Sequence, residues 1–251
     1  MPKIYIEGPA GKLEGVFHQA EESKAPTAIV LHPHPLYGGT MNNKVVYHLY
    51  KAFVNNGFSV LRFNFRGVGN SQGTFDNGAG ELSDVNAALD WLHMQNKNSS
   101  HYWVSGFSFG AYVGMQTIMR RPEIEGFIMA APPVSRYNFG FFSPCPISGL
   151  IVQGEEDEIA NPVATRKFAD TCRDQKGVFV EYEEIESADH FFKDHLEEFD
   201  EVVDDYIKMR LTNRIVKPIV KQRKRSKNKK KLADKINNVP KPTRITRQVT
   251  K

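Results

Sequence analysis

Short apolar runs alternate with amphipathic stretches along the first 210 residues of the chain. The apolar runs in the middle of this region are continuous, as expected for strands that are buried on both faces of a sheet. The stretches between them carry apolar residues at three- and four-residue spacing, which predicts helices that pack along one face. Alternation of this kind is typical of α/β proteins with a mostly parallel sheet.

The pattern predicts eight strands and five helices. We expect the strands at Ile4–Ile6, Leu13–Phe17, Thr27–Leu31, Ser59–Phe63, Tyr102–Gly106, Gly126–Ala131, Gly149–Gln153 and Val178–Ile185. We expect the helices around Asn43–Asn56, Gly80–Gln95, Phe109–Arg120, Pro162–Gln175 and Phe192–Met209. Together they predict an eight-stranded, mostly parallel sheet flanked by helices.

A nucleophile is predicted where the fifth strand meets the third helix. The sequence WVSGFSFGAYVG places Gly106, Ser108 and Gly110 in a G-x-S-x-G pattern, directly after an apolar strand and directly before a helix start. A serine on so sharp a turn brings neighbouring backbones close, and glycine two residues to either side removes the Cβ atoms that would clash. We predict that Ser108 is a catalytic nucleophile, and a purely structural glycine-rich turn is the alternative.

The base is sought downstream of the serine, because sites of this type follow the chain order Ser, acid, His. Of eight histidines, only His190 and His195 follow Ser108. His190 lies in SADHFF, a short loop after the last strand, whereas His195 falls inside the pattern of the final helix. We predict His190 as the base that activates the serine, and His195 as part of a solvated helix face.

The acid is predicted after the seventh strand. That strand is followed by GEEDEIANP, which offers Glu155, Glu156, Asp157 and Glu158 at the sheet edge where the serine is expected. We choose Asp157, and the other three are then ordinary solvated carboxylates. Asp189 adjoins the predicted base in sequence, but an immediate neighbour is poorly placed to reach that imidazole.

The oxyanion hole is predicted from two backbone N–H groups. The residue after the nucleophile, Phe109, supplies the first. The second is expected after the third strand, in LHPHPLYGG, where the prolines have no N–H. The candidates there are His34, Leu36 and Tyr37, and we favour His34. His32 and His34 form a His-x-His pair, but no further His/Cys cluster accompanies them, so we expect no metal.

A glycine-rich segment, RGVGNSQG, follows the fourth strand. Its glycines, Gly67, Gly69 and Gly73, do not match the dinucleotide-binding pattern, because Gln72 stands where the third glycine belongs. We interpret the segment as a loop that shapes the pocket, and we expect no cofactor. Arg66, at its start, is either a structural ion-pair partner or a substrate contact.

These residues resemble the serine α/β-hydrolases, and within them a compact bacterial branch related to dienelactone hydrolases. The resemblance covers residues 1–210 through HPHPLYGGTMNNKVV (32–46), LRFNFRGVGNSQGTFDNGAGELSDVNAALDW (61–91), MRRPEIEGF (119–127), PCPISGLIVQGEEDEI (144–159) and ADHFF (188–192). It implies an α/β-hydrolase fold with Ser108 as nucleophile, Asp157 as acid and His190 as base. Dienelactone hydrolases carry cysteine at the elbow, so their lactone substrate is not expected here.

The segment between the sixth and seventh strands bears on the substrate. It reads APPVSRYNFGFFSPCP and is too short for a large cap domain. An uncovered site suits small or exposed acyl groups. The aromatic residues of this segment line an acyl pocket or pack as ordinary core, and the sequence leaves both open: Tyr137, Phe139, Phe141 and Phe142.

Charge divides the chain near its C-terminal end. Residues 214–251 contain 15 Lys or Arg and one acid, Asp234, which gives this part +14 and residues 1–213 a net charge of −10. The basic part has no aromatic residue and few apolar ones, so we predict a catalytic domain over 1–213 and a disordered tail over 214–251. We expect the tail to contact RNA or anionic surfaces without sequence preference.

Cysteine content and apolar patterning indicate the cellular location of the protein. Two cysteines, Cys145 and Cys172, are too few for a disulfide framework in a chain of 251 residues. No signal-peptide pattern and no apolar run of about 18 residues is present, so we expect a cytoplasmic protein without a transmembrane segment.

The sequence is compatible with two functions. The first is a carboxylesterase-like serine hydrolase that cleaves a small acyl substrate through an acyl-enzyme. The alternative is a non-catalytic hydrolase-fold scaffold, or a polyanion-binding protein that acts through its basic tail.

Overall fold

The computed structural model describes residues 3–173 and 177–212. The chain divides into two units, Met1–Arg214 and Ile215–Lys251, and the described residues all belong to the first. The predicted tail over 214–251 and its predicted disorder therefore lie outside the described residues, as does the end of the fourth predicted helix.

Eight strands and five helices form, each at a place that the hydrophobic pattern predicts. The strands are β1 (Lys3–Gly8), β2 (Gly11–His18), β3 (Thr27–Leu31), β4 (Ser59–Phe63), β5 (Tyr102–Phe107), β6 (Ile124–Ala130), β7 (Gly149–Gly154) and β8 (Val180–Ile185). The helices are α1 (Lys44–Asn55), α2 (Ala79–Gln95), α3 (Phe109–Ile118), α4 (Pro162–Arg173) and α5 (Leu196–Thr212).

All eight strands belong to one sheet, in the order β1-β2-β4-β3-β5-β6-β7-β8. The pairs β1 with β2 and β2 with β4 are antiparallel. The other five pairs are parallel, so the expected mostly parallel sheet is confirmed. Because β3 to β8 run the same way, the loops that follow them gather at one edge of the sheet.

Two hydrophobic layers cover the sheet, one on each face. Alternate residues of β3 serve the two layers: Ile29 and Leu31 pack with α2, α3 and α4, whereas Ala28 and Val30 pack with α1 and α5. The period of two along a strand explains this division. It also explains why the central strands are apolar throughout, since neither of their faces meets water.

The start of the last helix was predicted incorrectly. Helix α5 begins at Leu196 rather than at Phe192. Phe192 and Asp194 have φ angles of 53° and 62°, in the left-handed region, which a right-handed helix does not allow. His195 consequently lies just before the helix, where its carbonyl oxygen accepts a hydrogen bond from the Phe199 N–H.

The connection between β6 and β7 contains no cap domain. It spans residues 131–148 and forms only a single 3-10 turn, Gly140–Phe142. Within the described residues, no helix is both long enough and apolar enough to cross a membrane.

Candidate active site

Ser108 lies on a strained turn between β5 and α3. Its φ and ψ angles are 55° and −117°, a region that costs a non-glycine residue conformational energy. A Cβ atom at Gly106 would lie 2.4 Å from the Gly110 carbonyl oxygen, and one at Gly110 would lie 2.4 Å from the Leu31 carbonyl oxygen. A side chain at either position would therefore clash with backbone atoms, which explains why both residues are glycine.

The three polar residues singled out in the sequence form one hydrogen-bonded chain. His190 Nε2 lies 3.0 Å from Ser108 Oγ, and His190 Nδ1 lies 2.7 Å from Asp157 Oδ2. All three residues are buried, with 5% to 8% of their surface exposed. This arrangement allows the imidazole to take a proton from the serine while the carboxylate holds its orientation.

Asp157 is fully supplied with hydrogen-bond donors. Its Oδ1 accepts from the backbone N–H groups of Ile159 and Ala160, at 2.8 and 2.7 Å. Its Oδ2 accepts from Gln153 Nε2 at 2.8 Å and faces His190. Four donors around one carboxylate leave it a single orientation.

The other acids near the base have different partners. Asp189 Oδ1 accepts from the backbone N–H groups of Phe191 and Lys193, so it caps the loop that carries His190. Glu155 accepts from the Ser187 N–H, and Glu156 and Glu158 are exposed. Among the described acids, only Asp157 reaches the His190 imidazole.

His195 does not contact the serine in the structure. Its Nδ1 lies 2.8 Å from the Lys193 carbonyl oxygen, and its ring is exposed to solvent in part. The two histidines are five residues apart in sequence, with left-handed residues Phe192 and Asp194 between them. His190 contacts Ser108, whereas His195 contacts the Lys193 carbonyl oxygen.

The candidate oxyanion donors lie in the loop after β3 and at the start of α3. Leu36 donates to the His34 imidazole at 3.2 Å, and Tyr37 donates to the His34 carbonyl oxygen at 3.1 Å. Of the three candidates, the His34 N–H alone has no partner among the described residues. Phe109 begins α3, and the rings of His34 and Phe109 are 5.0 Å apart between centroids. The Phe109 N–H lies at the N-terminal, partially positive end of α3.

His32 fixes the loop that carries His34. Its Nε2 accepts from the Phe65 N–H at 3.0 Å, and its Nδ1 lies 2.7 Å from the Pro33 carbonyl oxygen. Burial lowers the pKa of His32 to about 4, so the ring is neutral near pH 7. Both ring nitrogens are used within the fold. Among the described residues, no group of three or more His, Cys, Asp or Glu could hold a metal ion.

Arg66 forms an ion pair within the fold, which is one of the two roles that the sequence left open. Its guanidinium donates to both carboxylate oxygens of Asp84, from Nη2 at 2.8 Å and from Nε at 3.0 Å. The Arg66 backbone N–H also donates to Asp84. This buried pair ties the glycine-rich loop after β4 to the inner face of α2.

The aromatic residues between β6 and β7 divide between core and surface. Phe139 and Phe142 are buried among the residues of the main core. Tyr137 is half-buried and stacks on Tyr112, with 4.5 Å between ring centroids. Packing therefore accounts for the two phenylalanines, while Tyr137 lies at the surface near Phe109.

Two important residues were missed in the sequence analysis, although each carried a signal. Gln153 is a polar residue at the end of the buried strand β7, and Asp84 is an acid on the buried face of α2. Buried polar side chains need partners, so such positions indicate specific contacts. The sequence does not identify these contacts: Asp84 pairs with Arg66, which is 18 residues away in another part of the fold, and the turn that brings Gln153 onto Asp157 is not visible in the residue pattern.

Comparison with known proteins gives matches over most of the chain. A family model described as X-Pro dipeptidyl-peptidase (S15 family) matches residues 16–182. An uncharacterised protein of Rickettsia prowazekii is 50% identical over 211 residues, which are 82% of this chain and 89% of that protein.

Two solved structures show the same architecture. A protein of unknown function from Agrobacterium tumefaciens, described as an α/β-hydrolase, has 46% identity and a TM-score of 0.84, and the match covers 86% of this chain and all of that one. An α/β serine hydrolase without a lid, from Xanthomonas campestris, has 31% identity and a TM-score of 0.74, over 86% of this chain and 96% of that one. The Xanthomonas campestris protein is described as having no lid, and this chain likewise has no cap domain between β6 and β7.

Proposed function

Since this chain belongs to the compact α/β-hydrolases, in the family described as X-Pro dipeptidyl-peptidase (S15 family), we propose that it is a carboxylesterase that uses Ser108, Asp157 and His190. The family makes it a serine hydrolase. The triad, the oxyanion donors and the ester bond are the parts that we propose.

The proposed reaction proceeds in two halves. His190 Nε2 takes the proton of Ser108 as Oγ attacks the ester carbonyl, and the N–H groups of Phe109 and His34 stabilise the oxyanion. His190 then gives the proton to the departing alcohol, which leaves an acyl group on Ser108. Water, deprotonated by His190, releases the acid and restores the serine.

One observation carries this proposal above all others. Ser108, His190 and Asp157 form a buried chain of two short hydrogen bonds, although they are 82 and 33 residues apart along the sequence. A purely structural role would not require a strained serine hydrogen-bonded to a histidine whose second nitrogen faces a carboxyl group.

The nature of the bond is the least supported part of the proposal. Ester and amide cleavage pass through the same kind of tetrahedral intermediate, and the family model takes its description from a peptidase. The absence of a cap over 131–148 leaves the site open, which suits small or exposed acyl groups. The relation to dienelactone hydrolases and the cytoplasmic location remain predictions.

A substrate panel tests the proposed activity. Purified wild-type protein and the Ser108→Ala variant are assayed with acetate, butanoate and thioacetate esters and with an X-Pro anilide. We expect ester turnover by the wild-type protein and a loss of at least about 10⁴-fold in the variant. Hydrolysis of the anilide alone would replace esterase with peptidase, and equal ester turnover by both proteins would contradict the proposal.

The alternative of a non-catalytic scaffold or a polyanion-binding protein has a separate test. A scaffold would fail to react with any serine-directed reagent in the wild-type form. Contact of residues 214–251 with RNA or anionic surfaces remains a prediction from charge alone: those residues lie outside the described part, and the similar proteins do not support the contact.

A further inference from the structure

A group of aromatic rings lies beside the residues that supply the proposed oxyanion donors. We call this group the aromatic surface; it consists of His34, Tyr37, Phe75, Phe109, Tyr112 and Tyr137. The His34 ring lies 4.7 Å from Tyr37, 4.8 Å from Phe75 and 5.0 Å from Phe109, between ring centroids. The Tyr137 ring lies 6.0 Å from that of Phe109 and stacks on Tyr112. The rings therefore form one contiguous group.

The aromatic surface is open to solvent. Tyr37 is 87% exposed, although it is a large aromatic residue. His34, Phe75, Tyr112 and Tyr137 are half-buried, and only Phe109 is fully covered. Exposed aromatic clusters of this kind are uncommon unless they bind something.

The aromatic surface carries no charge at neutral pH. Burial lowers the pKa of His34 below its ordinary value, which keeps the imidazole neutral near pH 7. Burial raises the pKa of Tyr137, and the neighbouring phenols of Tyr112 and Tyr37 raise it further. Uncharged aromatic rings favour an aromatic ligand over an anionic one.

The two sides of Ser108 differ in a way that assigns the two halves of an ester. The alcohol must leave toward His190, which protonates it. The His190 ring contacts Phe107 and Phe191 and none of the rings of the aromatic surface. The proposed oxyanion donors are the N–H groups of His34 and Phe109, and the rings of these two residues belong to the aromatic surface, so we assign the acyl substituent to that surface.

We propose that the aromatic surface binds the ring of an aromatic acyl group, so that the natural substrates are esters of arylalkanoic acids. This inference rests on the proposed esterase function, because the ester is assumed to react at Ser108. Tyr37, which is 87% exposed, and Tyr137, which is half-buried, are members of the aromatic surface that such a ring can contact.

A pair of matched esters tests the aromatic surface. Methyl 3-phenylpropanoate and methyl 3-cyclohexylpropanoate have similar size, and only the acyl half of each carries a ring. We expect the wild-type protein to prefer the phenyl ester in kcat/KM by about threefold to tenfold, and Tyr37→Ala to reduce that ratio by about threefold or more. The loss of a side chain that is 87% exposed does not threaten folding.

A matched control and a binding measurement separate this inference from the esterase proposal. Tyr5→Ala removes another exposed tyrosine, on β1, and should leave the ratio unchanged. Calorimetry of the same esters with Ser108→Ala, with and without Tyr37→Ala, measures binding without turnover. A Tyr37-dependent preference in binding without hydrolysis by the wild-type protein would sustain the aromatic surface and overturn the esterase proposal. If the wild-type protein hydrolyses the esters and Tyr37→Ala changes the phenyl-to-cyclohexyl ratio of kcat/KM by less than twofold, the esterase proposal would stand and the aromatic surface would be overturned.

Discussion

Two buried polar pairs each join a residue from a loop after a strand to a carboxylate: Arg66 with Asp84, and His190 with Asp157. The Arg66 guanidinium donates twice to one carboxylate, so the pair is complete in itself. His190 uses Nδ1 for its acid and keeps Nε2 for Ser108. An arginine side chain stays protonated in proteins, so its pair only holds two elements together, whereas an imidazole that has an acid on one nitrogen and a serine on the other can move a proton. The following changes test this difference.

The largest effect is expected at His190. His190→Ala should lower kcat on a small ester by about 10⁴- to 10⁶-fold, because no base remains to deprotonate the serine. The fold should survive, since Asp157 keeps its donors from Gln153, Ile159 and Ala160. The matched control is His195→Ala, which should retain wild-type kcat within twofold. The reverse result for the two histidines would show that the wrong base has been chosen.

Asp157→Asn is expected to lower kcat by about 10⁴-fold. Two backbone N–H groups hold the Oδ1 position, so the oxygen of the new amide occupies it and the NH₂ group takes the place of Oδ2. That NH₂ group would donate to His190 Nδ1, and the imidazole would then carry its proton on the nitrogen that faces Ser108. Steady-state kinetics on the same ester measures the loss. A variant with more than a tenth of the wild-type kcat would contradict this role.

Arg66→Ala is expected to affect stability rather than chemistry. It leaves Asp84, which is fully buried, without its cation, at a cost of about 3–5 kcal/mol in the free energy of unfolding. Urea titration measures this cost. Arg121→Ala is the control, because its partners Asp90 and Glu123 are exposed, and it should cost less than about 1 kcal/mol. An Arg66 variant of normal stability with collapsed kcat would make Arg66 a substrate contact instead.

The smallest effect is expected from the removal of residues 214–251. Turnover of a small soluble ester should be almost unchanged, because Ser108, Asp157 and His190 all belong to the predicted domain over 1–213. RNA binding at low salt should disappear with the deletion, and in the full chain it should weaken by orders of magnitude between roughly 50 and 200 mM salt. A truncated protein that cannot fold or turn over would show that the predicted boundary is wrong.

Local pattern and chain order were enough to place the elements and to select three polar residues that the structure brings into one hydrogen-bonded chain; their catalytic role remains a prediction. Continuous apolar runs marked the strands, and the spacing of Gly106, Ser108 and Gly110 marked the elbow. The start of α5 was missed because Phe192 and Asp194 adopt left-handed angles that tertiary packing imposes and that their residue types do not indicate. The role of Arg66 was left open because its partner Asp84 lies on another element.

Covalent labelling tests the central claim most directly. The wild-type protein and the Ser108→Ala variant are treated with a fluorophosphonate, and the products are digested and analysed by mass spectrometry. The account predicts one adduct, on the peptide that contains Ser108, and no adduct in the variant. An unlabelled wild-type protein, an adduct on another residue, or equal labelling of the variant would contradict the assignment of Ser108 as the nucleophile.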